Sequence, residues 1–225
     1  MNVPLFVFRR IEKSFSGRQI LCGADLSLYP GKCILLSGKN GVGKTTLLKI
    51  IAGLETPSNL EIEYNGKTNY WKKALRSIRK EIIYLHQQPI MFSSSVESNV
   101  AYGLRFTSLN YQQRSESVEE ALEWASLSDV AKKKAKTLSG GVQQRVAFTR
   151  AWILKPKVLL LDEPMSNMDN ESREQTYRFL ERMKSAGMSL VITSHFLDYF
   201  DALADQQFEL NNGVLNLMSN SLSKR

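Results

Sequence analysis

Between Gly38 and Thr45 the chain reads Gly-Lys-Asn-Gly-Val-Gly-Lys-Thr, which fits the spacing G-x-x-x-x-G-K-[ST]. An apolar run, Cys33-Ile34-Leu35-Leu36, precedes it. A helical period follows it from Lys44 to Ala52, apolar at Leu47, Leu48, Ile50 and Ile51, with Gly53 placed to close the helix. A strand that turns through glycines into a helix is a narrow commitment. Glycine lets the backbone wrap closely round an anion, so that several N–H groups converge on it, and the helix N-terminus adds its positive end. The spacing points to a nucleotide phosphate cradle made of Gly38, Lys39, Asn40, Gly41, Val42, Gly43 and Lys44. Lys44 is expected to bridge the β- and γ-phosphates as a point charge. Thr45 is expected to bind Mg²⁺ through its hydroxyl, and Thr46 to touch the α-phosphate. The bland alternative is a glycine turn that binds nothing; the strand before it and the helix after it weigh against that.

The remaining patterning is α/β. Val158-Leu159-Leu160-Leu161, Ile82-Ile83-Tyr84-Leu85 and Leu190-Val191-Ile192-Thr193 are continuous apolar runs, which suit a mainly parallel sheet covered by helices on both faces. The N-terminal part differs. Val3 to Ile11, Leu26 to Leu28 and Leu60 to Tyr64 alternate more, with turn signals at Ser16-Gly17, Pro30-Gly31 and Asn65-Gly66, and predict a small antiparallel sheet. Ser117-x-x-Glu120 reads as a capping box that opens a helix through Trp124. Val142 to Leu154 is helical in period and stopped by Pro156. Glu171 to Ala186 begins with acids and ends with Arg182 and Lys184, an order that suits the helix dipole. The polar stretch from about Ser93 to Lys136 carries no strand signal and predicts an inserted helical lobe.

Asp162 and Glu163 follow the run Val158–Leu161 directly. Two acids at the carboxyl end of a buried strand stand where ligands of α/β sheets bind. Alone they would read as a helix cap. Beside a phosphate cradle, Asp162 is expected to hold Mg²⁺ and Glu163 to polarise a water aimed at the γ-phosphate.

Leu138-Ser139-Gly140-Gly141-Val142-Gln143-Gln144-Arg145 stands before Asp162-Glu163-Pro164. With the cradle, this order resembles the ATP-binding cassette (ABC) family, the nucleotide-binding subunits of ABC transporters, over almost the whole chain. The resemblance implies a P-loop NTPase fold of the ABC ATPase type as one domain over 1–225. A RecA-like core with an antiparallel β-subdomain would take 1–88 and 138–225, and a helical subdomain about 89–137. It also implies an ATPase that needs ATP and Mg²⁺, with Gln87 reaching the metal and the attacking water and His195 contacting the γ-phosphate. Phe15 resembles the aromatic that stacks on adenine, though an ordinary sheet residue there stays open. His195 ends the run Leu190–Thr193 on the expected edge of Glu163, although a lone His after a strand is often structural. Ser166-Asn167-Met168-Asp169 resembles the D-loop. In the family two cassettes pack head to tail, so Ser139, Gly140 and Gly141 of one copy would clamp the nucleotide in the cradle of the other. Val142, Met165, Asn167, Met168 and Phe196 depart from the usual residues; none removes a group the chemistry needs.

The formal charge is +8. Lys67, Lys72, Lys73, Arg76, Arg79 and Lys80 form one basic stretch and Lys132, Lys133, Lys134 and Lys136 another; solvated faces are the simpler reading of both, and nucleic acid is not the expected partner. No stretch approaches the ~20 apolar residues that cross a bilayer, and Leu5–Phe8 followed by Arg9-Arg10 is not a secretory leader. Cys22 and Cys33 form no C-x-x-C pair. The expected place is the cytoplasm, peripheral on the inner face of the cell membrane, with a second ATPase copy and a separate membrane permease as partners. A solute-binding protein would complete an importer. The stretch Gln87 to Tyr102 is the expected docking surface, with Ile90-Met91-Phe92 either exposed anchors or core. Gln87–Phe92 and Asn99–Leu104 resemble importer ATPases for oxyanions such as tungstate, molybdate or phosphate. A non-transport cassette acting on DNA or ribosomes is the alternative. It fits less well, because no sustained heptads separate the two phosphate motifs and the chain carries one cassette.

Overall fold

The computed structural model describes residues 3–166 and 168–218. In chain order the regular elements are β1 (Phe6–Phe15), β2 (Arg18–Leu28), β3 (Cys33–Ser37), α1 (Lys44–Ile51), β4 (Asn59–Tyr64), β5 (Lys67–Asn69), α2 (Trp71–Glu81), β6 (Ile82–Leu85), α3 (Val96–Ala101), α4 (Tyr111–Trp124), α5 (Gly140–Trp152), β7 (Val158–Asp162), α6 (Asn170–Ser185), β8 (Ser189–Thr193), α7 (Leu197–Phe200), β9 (Gln206–Asn211) and β10 (Val214–Leu217). They fall into two compact units. The first draws on Met1–Tyr84, Lys157–Glu163 and Lys184–Arg225, the second on Leu85–Pro156 and Pro164–Met183.

The first unit holds two sheets. One is antiparallel, in the order β2-β1-β4-β5; the other runs β10-β9-β3-β8-β7-β6, with β8 parallel to both β3 and β7, and β9 parallel to β3. Every residue of β7 and β8 is buried, which is why these strands read as unbroken apolar runs. Phe6, Phe8, Ile11 and Leu21 from the antiparallel sheet share one core with Leu47, Leu48, Ile50 and Ile51 of α1. Phe6 stacks on Tyr64 at 4.8 Å. α1 stops where the sequence puts Gly53: at φ 72° this residue donates to Ile50, and Leu54 donates to Lys49, so that two otherwise orphaned carbonyls are satisfied. The Arg79 guanidinium donates to the Gly53 carbonyl from both Nε and Nη2, at 3.1 and 2.9 Å.

Several elements differ from expectation. β1 and β2 run on to a two-residue turn at Ser16-Gly17, both with positive φ, as tight hairpins require. α2 and the hairpin β9–β10 carry no element in the sequence reading. In α2 the basic residues lie outward while Ala74 and Ile78 are buried. α4 begins earlier than Ser117: Asn110 accepts the Gln113 N–H at 2.9 Å and Gln113 returns the bond to the Asn110 N–H at 3.0 Å. Ser117 is therefore inside the helix, because a reciprocal cap two turns upstream was free to nucleate it.

The second unit is helical. Trp124 and Trp152 lie face to face at 4.3 Å and 5°, Phe179 meets Trp124 edge-on at 4.4 Å, and Arg182 covers the Trp124 ring at 4.5 Å. Asn99 is fully buried, yet its amide donates to Ser94, Ser95 and Phe92 oxygens and accepts the Phe92 N–H.

In the first unit, Asp205 ties β3 to the chain entering β9. It accepts from the Cys33 N–H and from the Lys32 and Lys184 ammonium groups, each at 2.8 Å. Burial pushes its carboxyl up, but these donors outweigh burial and hold it below the ordinary carboxylate value. A depressed folded pKa contributes stability above the unfolded value of about 3.9 and loses it as pH falls through the folded value. Asp205→Asn should therefore cost roughly 1–3 kcal/mol at pH 7. It should also flatten the acid side of the stability–pH curve, as read by urea unfolding between about pH 2 and pH 7.

Candidate functional site

The loop after β3 has the backbone that only glycine adopts readily. Gly38, Gly41 and Gly43 have φ of 140°, 75° and 117°. A Cβ at Gly38 would lie 2.6 Å from the Leu210 carbonyl oxygen, and one at Gly43 2.8 Å from Ile20 Cγ2. At these two positions the loop packs closely against its own scaffold, while Gly41 between them faces open space. Lys44 opens α1, is 7% exposed, and donates from Nζ to the carbonyls of Gly38 at 2.7 Å and Lys39 at 3.3 Å. Its ammonium is folded back over the loop. Lys39, Asn40 and Gly41 are exposed, while Val42 and Thr46 are half-buried.

Four elements meet at one carboxylate. Asp162, the last residue of β7, is 6% exposed. Its Oδ2 accepts the Thr45 hydroxyl from α1 at 2.7 Å and the Tyr84 hydroxyl from β6 at 2.9 Å. Its Oδ1 accepts the Thr193 hydroxyl from β8 at 2.8 Å. Burial first, then the neighbouring Asp162 charge and hydrogen bond, push the Tyr84 phenol up, so it remains a donor. Thr193 serves twice, since its Oγ1 also accepts the Glu163 N–H at 2.9 Å.

Glu163 has φ 49°, a left-handed backbone that costs a non-glycine residue about 1–3 kcal/mol and persists where surroundings over-determine it. Here Thr193 fixes it, because the Glu163 N–H also lies 3.2 Å from the Thr193 carbonyl. The turn sets Glu163 Oε1 3.2 Å from His195 Nε2, with the imidazole about half exposed and the carboxylate largely covered. Cradle, Thr45, Asp162, Glu163 and His195 thus share one edge of the first unit. Phe15 lies at the end of β1, 45% exposed, with the Lys13 ammonium 4.5 Å from its ring centre.

Gln87, Ser139, Gly140, Gly141 and Asp169 belong to the second unit and line one cavity of about 330 Å³ there. Gln87 Nε2 donates to Ser166 Oγ at 3.2 Å. Ser139 precedes α5 with an extended backbone and makes no side-chain cap, and Gly140 has open space where a Cβ would be. Gly141 does not: a Cβ there would meet Ser172 Oγ at 2.7 Å. Asp169 accepts the Ser172 N–H at 2.7 Å, which holds its carboxyl below the usual range and makes it the N-terminal cap of α6. Asn167 lies outside the described residues.

Tyr84 and Thr193 had no place in the sequence reading. Their signal was present: each is a hydroxyl at or near the end of an otherwise apolar run, and such a group needs a partner where the run is covered.

The pair formed by Thr45 and Asp162 suits a hard cation, because its hydroxyl and carboxylate oxygens meet at 2.7 Å. Among the described residues no cluster of three His, Cys, Asp or Glu side chains forms a self-contained metal site.

Residues 21–166 match the family model described as ABC transporter. The chain is 34% identical over 216 residues to an Fe(3+) ions import ATP-binding protein, FbpC 1, of Haemophilus influenzae, covering 95% of this chain and 65% of that one. It is 35% identical to a spermidine/putrescine import ATP-binding protein, PotA, of Legionella pneumophila, covering 95% and 58%. The chain thus spans about three-fifths of the length of these relatives. Among solved structures, cbiO1 of Clostridium perfringens, described as part of the ABC transporter complex cbiONQ, superposes with a TM-score of 0.88 at 27% identity, covering 98% of this chain and 89% of that one. Cradle, paired acids and the Ser139-Gly140-Gly141 turn stand on an α/β fold of the ABC ATPase type, and the chain belongs to the ABC transporter family.

Proposed function

We propose that this chain binds and hydrolyses ATP as the motor subunit of an importer, working with a second copy of itself and a separate membrane permease. The observation that carries the proposal is the edge of the first unit. There the Lys44 ammonium lies over the glycine loop, the Thr45 hydroxyl donates to Asp162, and Glu163 Oε1 lies 3.2 Å from His195 Nε2, all on the same edge.

Each group has one task. Lys44 exchanges its two carbonyl partners for β- and γ-phosphate oxygens, and the first-turn N–H groups of α1 face the phosphates. Thr45 and Asp162, with Gln87, would hold Mg²⁺, which when bound neutralises charge on the phosphate oxygens. Glu163 orients and polarises the attacking water, and His195 holds that carboxylate and contacts the γ-phosphate. The transition state is loose, so positioning is the larger demand and early proton removal the smaller one. Phe15 offers an exposed ring to adenine. Ser139 and the N–H groups of Gly140 and Gly141 contact nucleotide held by the second copy. ATP then joins the copies, and hydrolysis parts them. In this scheme Asp169 keeps its D-loop role at the same junction.

Docking to the permease is assigned to the second unit. Ile90 is 68% exposed and Phe106 80%, while Met91 is buried. Phe92 and Tyr102 pack at 4.3 Å, with Arg150 over the Phe92 ring. Exposed aromatics grouped this way suit a protein partner. Among the described residues no helix is long and apolar enough to cross a membrane. A peripheral place on the cytoplasmic face, held there by the permease, is the corresponding location. A solute-binding protein would deliver the cargo. The two relatives above are named for iron(III) and polyamines, cations rather than oxyanions, so the permease and binding protein are left to define the cargo. Neither name supports a role on DNA or ribosomes.

Glu163→Gln should still bind ATP, dimerise more stably and lose at least ~100-fold in turnover, measured by phosphate release and size exclusion; turnover at the parent rate would overturn the role. Lys44→Ala should weaken binding of a fluorescent ATP analogue at least tenfold, and an unchanged titration would count against the cradle. Ser139→Arg should spare that binding but block the closed dimer. Unchanged turnover per chain would rule out the trans contact.

A further inference from the structure

Tyr84 has no part in the chemistry above, yet its hydroxyl donates to Asp162 Oδ2 at 2.9 Å, onto the same oxygen that accepts Thr45 at 2.7 Å. Thr193 occupies the other oxygen at 2.8 Å. A carboxylate with one donor keeps freedom to rotate. With donors on both oxygens, from β6 and β8 on its flanks, its plane is fixed before any ligand arrives. Thr45 cannot do this alone, because its hydroxyl must also present a lone pair to a bound cation. Tyr84 bears no such second duty.

We propose that Tyr84 is a positioning residue for the Mg²⁺ site: its hydroxyl locks the Asp162 carboxylate in the orientation that receives the cation, and so sets magnesium affinity without touching the nucleotide. Tyr84 also ends the first of the three chain segments that make up the first unit and stands three positions before Gln87. This role rests on the ATPase proposal for its magnesium readout but not for its hydrogen bond.

Tyr84→Phe removes the hydroxyl and keeps the ring. A ligand-free double-mutant cycle with Asp162→Ala, which removes the acceptor, read by urea unfolding, isolates the bond from any question of function. Clear coupling is expected, and additive single effects would overturn the proposal. The second arm titrates trinitrophenyl-ATP in EDTA and at increasing Mg²⁺. The expected result is an unchanged metal-free Kd with a threefold to tenfold rise, roughly the net worth of one ordinary hydrogen bond, in the Mg²⁺ concentration that gives half the metal-dependent change. An unmoved magnesium midpoint would overturn it, as would a Kd weakened equally with and without metal, which is the mark of a merely structural tyrosine. A parent protein that fails to bind the nucleotide would sink the ATPase proposal; the cycle would then still decide whether Tyr84 holds Asp162.

Discussion

One buried carboxylate organises the first unit. Asp162 is 6% exposed and accepts hydroxyls from three different elements. A charge so placed is costly unless its lone pairs are filled, and here they are filled by α1, β6 and β8. The parallel strands need this arrangement as much as the chemistry does. β7 and β8 end at the same level of the sheet, and Thr193 joins their ends through Asp162 and through the Glu163 N–H. The strained turn at Glu163 is held by a residue that also belongs to the sheet.

The two ends of the cradle are fixed by different physics. At Gly38 and Gly43 the scaffold leaves no space for a side chain, so the loop's course is set by sterics. At Lys44 it is set by charge, since the ammonium is buried against two carbonyls. A loop held in this way keeps its course without a ligand, and the Lys44 side chain is the part that would have to swing. Pre-organisation of this kind is what a positioning-dominated reaction asks of its enzyme.

Much of this was legible in residues alone. Continuous apolar runs announced β3, β7 and β8, and the string from Gly38 to Thr45 placed the turn and the helix after it. What escaped was of two kinds. Some elements had weak local signals: α2 buries only Ala74 and Ile78 under a basic surface, and the hairpin β9–β10 is announced by little more than Asn212-Gly213. Ser117 misled because a capping string is permissive, and Asn110-x-x-Gln113 offered the same bond earlier. The other kind was long-range pairing. Tyr84 and Asp162 are 78 positions apart, and no local periodicity can bring them together. Gly140 and Gly141 look interchangeable in sequence. Only the fold distinguishes the open one from the one packed under Ser172.

The face-to-face indoles of the second unit have a spectroscopic consequence. The chain has three tryptophans, and two of them, Trp124 and Trp152, lie parallel at 4.3 Å. Rings so close share their excited state and should give a split near-ultraviolet dichroism band, beside the quenching expected from Arg182 over one face. The third, Trp71, is in the first unit at the start of α2. A split band would therefore report melting of the helical unit, while Trp71 adds its emission from the unit that carries the glycine loop.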